Sequence, residues 1–160
     1  AMSSSSSPPD QEIKGCVPFS PPMDVYLAAP IAGDRTAIGN ARTMAEAIRD
    51  LGHTVLTEHV VAHDVLEREA ALTPREIFDR DMKWLRKSEM LIAEVSRPSL
   101  GVGMEIGFAL EWGKTVHCFC QKGTRLSALV AGNAHPNLKL WEYDTEWELL
   151  DGVERALIRT

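Results

Sequence analysis

Residues 89–120, EMLIAEVSRPSLGVGMEIGFALEWGKTVHCFC, decide the fold. "EMLIAEV" (89–95) is an apolar run of strand length, and "SRPSLGVG" (96–103) interrupts it with serine, proline and glycine. An apolar helix follows, and "KTVHCFC" (114–120) reads as another apolar strand. Near-continuous apolar strands joined through a helix belong to a parallel sheet buried on both faces. One residue is out of place. With a helix start near Val102, Glu105 lies in the first turn and shares a face with Phe108, Ala109 and Trp112. That is the face expected to pack inward, and glutamate is rarely buried without a partner.

The same alternation extends outward in both directions. "MDVYLAAPI" (23–31) suits a buried first strand and ends in a turn at Gly33 and Asp34. Residues 36–51 read as a helix with Ile38, Ala41, Met44, Ala45, Ile48 and Leu51 on one face, stopped by Gly52. "HTVLTEHV" (53–60) reads as a second strand, followed by a polar stretch. "TPRE" (73–76) opens the next helix, with Thr73 as N-cap, Pro74 in the first turn and Glu76 completing a capping box. After the fourth strand come a short helix in "RLSALVAG" (125–132), a fifth strand "LKLWEY" (138–143) and a closing helix in 145–158. Five alternations predict an α/β protein of three layers, α/β/α, with a five-stranded parallel sheet in the flavodoxin-like (Rossmann-like) order 2-1-3-4-5. Ligands of such sheets sit outside the carboxyl ends of the strands, beside the first. The relevant loops are 29–36, 57–65 and 95–103.

Composition narrows the partners. The chain of 160 residues is 44% hydrophobic, enough for one domain with a real core, and its formal net charge is −6. No long basic run is present, so a nucleic-acid polymer or an anionic membrane is not the expected partner. No apolar stretch approaches the roughly 20 residues of a membrane span. Residues 1–22, rich in serine and proline, read as a disordered tail without secretory features, and the folded domain as 23–160. Cys118 and Cys120 project to one face of a strand, poor geometry for a disulfide. With Cys16 they read as reduced thiols of a cytoplasmic protein, a nuclear location remaining open in a eukaryote.

Several polar residues fall near the three loops. Glu105 at a helix start, among apolar neighbours, suits a nucleophile or general base, and equally a solvated partner of the helix dipole. Asp81 shares a helical stripe with Phe78 and Leu85, widened by Ile77 and Trp84. Paired with Glu105 it would make the two-carboxylate apparatus used on anomeric carbons. Asp79 points away from that stripe. Tyr26 in the first strand needs a partner for its hydroxyl if buried. Ser99 and the glycines at 101, 103 and 107 make "SLGVG" a plausible cradle for an anion or sugar, though it is neither a Walker loop nor a dinucleotide fingerprint. His59 closes the second strand, without metal-ligand or Ser-His-Asp spacing around it. Trp112, Trp141 and Trp147 read as core or cover.

Taken together, "VYLAAPI", "TVLTEHV", "DMKWL" and "AEVSRPSLGVGMEIGFAL" resemble the nucleoside 2-deoxyribosyltransferase superfamily, and within it the 2'-deoxynucleoside 5'-phosphate N-hydrolases. The likeness spans about residues 24–145. It implies a glycosidase acting on a small nucleotide or nucleoside, with no metal or organic cofactor. It implies Glu105 as nucleophile on C1', Asp81 as the second carboxylate and Tyr26 as support for the nucleophile. Ser99 and Gly101 match the loop that holds the 5'-phosphate, and Pro30, Ile31, Arg35 and His59 fall among the substrate-binding positions. A homodimer is implied, with Ser127 given to the neighbouring site. Two departures stand out. The family's hydrolases usually offer a serine and an arginine from the first loop, where this chain has Pro30 and Ala32, with Arg35 three residues further on. Proline there is more like the transferases, whereas the C-terminal "ALIRT" lacks the aromatic and amide ending of those enzymes. Exchange of bases on unphosphorylated deoxynucleosides, or nucleotide binding without catalysis, are the alternative readings.

Overall fold

Strands β1 (Asp24–Ala28), β2 (Thr54–Val55), β3 (Met90–Glu94), β4 (Thr115–Gln121) and β5 (Leu138–Tyr143) form one parallel sheet in the order β2-β1-β3-β4-β5. The computed structural model describes residues 21–32 and 34–158. The expected tail, apart from Pro21 and Pro22, therefore lies outside the described residues, as do Cys16 and Gly33.

Side chains alternate between the two faces of each strand, which sorts the core into two layers. On one face Val25, Leu27, Ile92 and Phe119 meet Met44 and Ile48 of α1 (Ile38–Asp50) and Leu149 and Val153 of α6 (Glu146–Leu157). On the other, Tyr26, Ala28, Leu91 and Ala93 meet Met82 and Leu85 of α3 (Pro74–Lys87) and Ile106 and Ala109 of α4 (Leu100–Glu111). The α6 layer depends on Gly152. A Cβ there would lie 2.8 Å from Phe119 Cε1 and 3.5 Å from Trp141 Cε3, two rings stacked at 5.6 Å. Helix α1 stops where Gly52 takes φ +89°, a conformation that costs glycine little. Helix α3 starts with the full capping box of Thr73 and Glu76, with Pro74 in its first turn.

The structure corrects four local expectations. The second strand pairs only at Thr54–Val55. Beyond it the Thr57 hydroxyl takes over the ladder, accepting from the Leu27 amide at 3.0 Å and donating to the Leu27 carbonyl at 2.6 Å. The chain then turns into a 3-10 helix, Glu58–Val61, so His59 closes no strand. The polar stretch after it contains a helix, α2 (Val65–Ala70), in which only Val65 is buried. Helix α4 begins at Leu100 because Ser99 caps it, its Oγ accepting from the Val102 amide at 3.3 Å. Glu105 therefore lies in the second turn of the helix and not in the first. Finally, Trp147 is 72% exposed and belongs to neither core nor cover.

Candidate active site

Tyr26, Glu105 and Asp81 converge from three elements on one side of the sheet. Tyr26 is buried on β1 and faces the α3 and α4 layer. Glu105 projects from α4 and Asp81 from α3, both partly buried. The Tyr26 hydroxyl is hydrogen-bonded to the Glu105 carboxylate, and both feel the charge of Asp81. Burial pushes the Glu105 carboxyl from its ordinary 4.5 up to about 8, and Asp81 adds to the rise. The Tyr26 donor acts in the opposite sense, favouring the carboxylate. Burial likewise raises Asp81, opposed by Arg80 beside it. The Tyr26 phenol is pushed far up by burial and by both carboxylates, so it stays a donor.

A second group supports Asp81 and went unread in the sequence. Arg80 Nη2 lies 2.9 Å from Asp81 Oδ1, 2.8 Å from Glu69 Oε1 and 3.1 Å from His59 Nε2. Its guanidinium also covers the Trp84 ring at 5.1 Å. Glu69 Oε1 sits 3.3 Å from His59 Nε2, so α2 and the 3-10 helix are tied to α3 through one cation. Burial and Arg80 hold the His59 imidazole down at about 4, neutral at neutral pH. Its Nδ1 is buried without a hydrogen-bond partner. Arg80 adjoins Asp81 in sequence, but neighbours on a helix point apart unless something draws them together, and that something is Glu69.

The loops complete the picture. Ser99 and Glu105 border one small space over Gly101, where an added Cβ would lie 3.9 Å from both Ser99 Oγ and Glu105 Oε1. In the first loop Pro30 is buried and Ile31 partly so. Arg35 points inward: its Nη1 donates to the Pro30 carbonyl at 2.6 Å and its Nη2 to the Val60 carbonyl at 3.1 Å. Ser127 is exposed and makes its hydrogen bond within α5 (Ala128–Ala131), accepting from the Leu129 amide at 3.4 Å. Cys118 and Cys120 are buried free thiols whose pKa values burial raises, so neither is a nucleophile. Among the described residues no group of three or more His, Cys, Asp or Glu side chains could hold a metal ion, and no helix is long and apolar enough to cross a membrane.

The family model for nucleoside 2-deoxyribosyltransferase matches residues 25–145. A Thermofilum pendens protein named as a 2'-deoxynucleoside 5'-phosphate N-hydrolase is 42% identical over 137 residues, covering 84% of this chain and 95% of that one. The 5-hydroxymethyl-dUMP N-hydrolase of Mus musculus is 38% identical over 130 residues, covering 78% of this chain and 75% of the relative. Among solved structures, Clostridium botulinum CMP N-glycosidase superposes with a TM-score of 0.64 over 84% of this chain and 99% of its own, at 20% identity, which speaks for the fold. The chain belongs to the nucleoside 2-deoxyribosyltransferase family.

Proposed function

We propose that the chain is an N-glycosidase that splits 2'-deoxynucleoside 5'-monophosphates into free base and deoxyribose 5-phosphate through a covalent bond to Glu105. The observation that carries this reading is the buried Glu105 carboxyl, hydrogen-bonded to Tyr26 and electrostatically coupled to Asp81. In the first step an oxygen of the ionised Glu105 carboxylate, the form the Tyr26 donor favours, bonds to C1' while the bond from C1' to the base nitrogen breaks, the base leaving with the electron pair. Protonated Asp81 supplies the proton to the departing base. In the second step a water oxygen attacks C1', Asp81 takes its proton and the Glu105 ester opens. Tyr26 holds the attacking oxygen in place, and Arg80 keeps Asp81 oriented between the two steps.

The site is completed in a homodimer by Ser127 of a second copy. Supporting this, Leu100 (93% exposed), Met104 and Phe78 leave apolar area uncovered beside the site, and Leu129 (84%) does so beside Ser127. Buried free thiols fit a cytoplasmic setting. Pro30 in the first loop favours a second reading, transfer of deoxyribose between bases. The test is a panel of deoxy- and ribonucleosides, with and without 5'-phosphate, scored for base release. Free base from deoxynucleoside monophosphates without an acceptor is expected. Turnover only when a second base is supplied would establish the transferase instead.

A further inference from the structure

We propose that Arg97 is the residue that selects for the substrate's 5'-phosphate, in place of the first-loop donors this chain lacks. The inference rests on the N-glycosidase reading of the same site. At Pro30 and Ala32 the first loop presents neither a side-chain donor nor a charge. Arg35, the nearest cation in that loop, does not replace them. Both of its terminal nitrogens are bonded to main-chain carbonyls, of Pro30 and Ile31 on one side and Val60 on the other, so it fastens the loop to the 3-10 helix.

Arg97 is placed differently. It lies on the connection from β3 to α4, two residues before the cap Ser99 and eight before Glu105. From there it reaches over to the connection following β1, with Nε 2.8 Å from Thr36 Oγ1 and 3.2 Å from Asp34 Oδ2. Strands β1 and β3 are direct neighbours, Ala28 opposite Ala93, so these two connections flank the same crevice. The Arg97 side chain is 40% exposed, and Nη1 makes only a long contact of 3.5 Å to the Ser96 carbonyl. Its outer edge is thus free for the bidentate grip that guanidinium gives a phosphate. The Leu100 and Gly101 amides, in the first turn of α4, have no intrahelical acceptors.

Asp34 sharpens the inference. A carboxylate beside a phosphate site is unfavourable unless a cation neutralises it, and here Asp34 is paired with the very guanidinium the phosphate needs. Asp34 is then a competitor that occupies Arg97 while the site is empty. Removing Arg97 and removing Asp34 must therefore have opposite effects on phosphate binding. A merely structural pair gives the same effect from either side.

The experiment compares wild type, Arg97→Gln and Asp34→Asn. The first readout is the thermal shift produced by deoxyribose 5-phosphate. The second is kcat/KM for a deoxynucleoside 5'-monophosphate against its unphosphorylated counterpart. Arg97→Gln is expected to lose the thermal shift and to lower kcat/KM on the monophosphate about 10- to 100-fold, the scale of a charge-assisted pair, with a far smaller loss on the nucleoside. Asp34→Asn is expected to enlarge the shift and raise kcat/KM on the monophosphate severalfold. Equal losses on both substrates, losses of similar size in both variants, or a thermal shift unchanged by Arg97→Gln would overturn the assignment. Absence of base release from every substrate sinks the glycosidase reading alone, because the thermal shift still reports whether Arg97 takes the phosphate.

Discussion

Replacing the Glu105 carboxylate by an amide should remove activity and stabilise the fold, and the size of the gain follows from its surroundings. In the unfolded chain the carboxyl ionises near 4.5, and in the folded protein near 8. Between those values the folded state holds a proton that the unfolded state has lost, so stability falls as pH rises through the window. At pH 7 the protein stands about 2.5 pH units above the unfolded value, and at about 1.36 kcal/mol per unit the cost is about 3 kcal/mol. Glu105→Gln keeps the shape and an acceptor for Tyr26 but has no charge to desolvate. For a domain of this size the gain corresponds to a rise in Tm of roughly 6–12 °C at pH 7. It shrinks to under about 1 kcal/mol at pH 5, only half a unit above the unfolded value. Thermal unfolding of the two proteins from pH 5 to pH 8 measures the difference directly. A Tm difference that stays flat with pH, or a variant less stable than wild type at pH 7, would refute the claim that Glu105 is held in a desolvating site.

Three further substitutions probe separate links. Tyr26→Phe takes away the donor that favours the Glu105 carboxylate, so its carboxyl carbon should titrate about one unit higher by NMR, the scale of one hydrogen bond to a charge; an unmoved titration would mean that Tyr26 does not support the nucleophile. Gly101→Ala meets no protein atom closer than 3.9 Å, so Tm should be unchanged while KM rises about tenfold or more, because the methyl fills the space between Ser99 and Glu105; unaltered kinetics would put the substrate elsewhere. Gly152→Ala forces a Cβ to 2.8 Å from Phe119, and a loss of about 1–3 kcal/mol in denaturant unfolding is expected. No loss there would mean that the aromatic pair yields freely.

The architecture was legible because the strands are apolar almost throughout, and parallel burial is what such runs require. Where local pattern and tertiary contact disagree, the sequence misled. "HTVLTEHV" has the composition of a strand, but Thr57 satisfies the β1 ladder with its side chain and frees the backbone to turn. Helix α2 escaped notice because its six residues bury only Val65 and so show no periodicity. Within the site, Glu105 and Asp81 were visible as carboxylates on apolar stripes. The link from Arg80 to Glu69 and His59 was not, since it joins three elements whose packing no spacing encodes. The direction of Arg35 was equally hidden, being set by the carbonyls of Pro30 and Val60.

The central claim is that Glu105 becomes covalently attached to the sugar. It is tested most directly by mixing the protein with a deoxynucleoside 5'-monophosphate, quenching in acid within the first turnovers and mapping the peptides by mass. The account predicts one deoxyribose 5-phosphate carried by the peptide that contains Glu105, and none in Glu105→Gln. A sugar attached to any other residue, or base release that continues in Glu105→Gln, would contradict it.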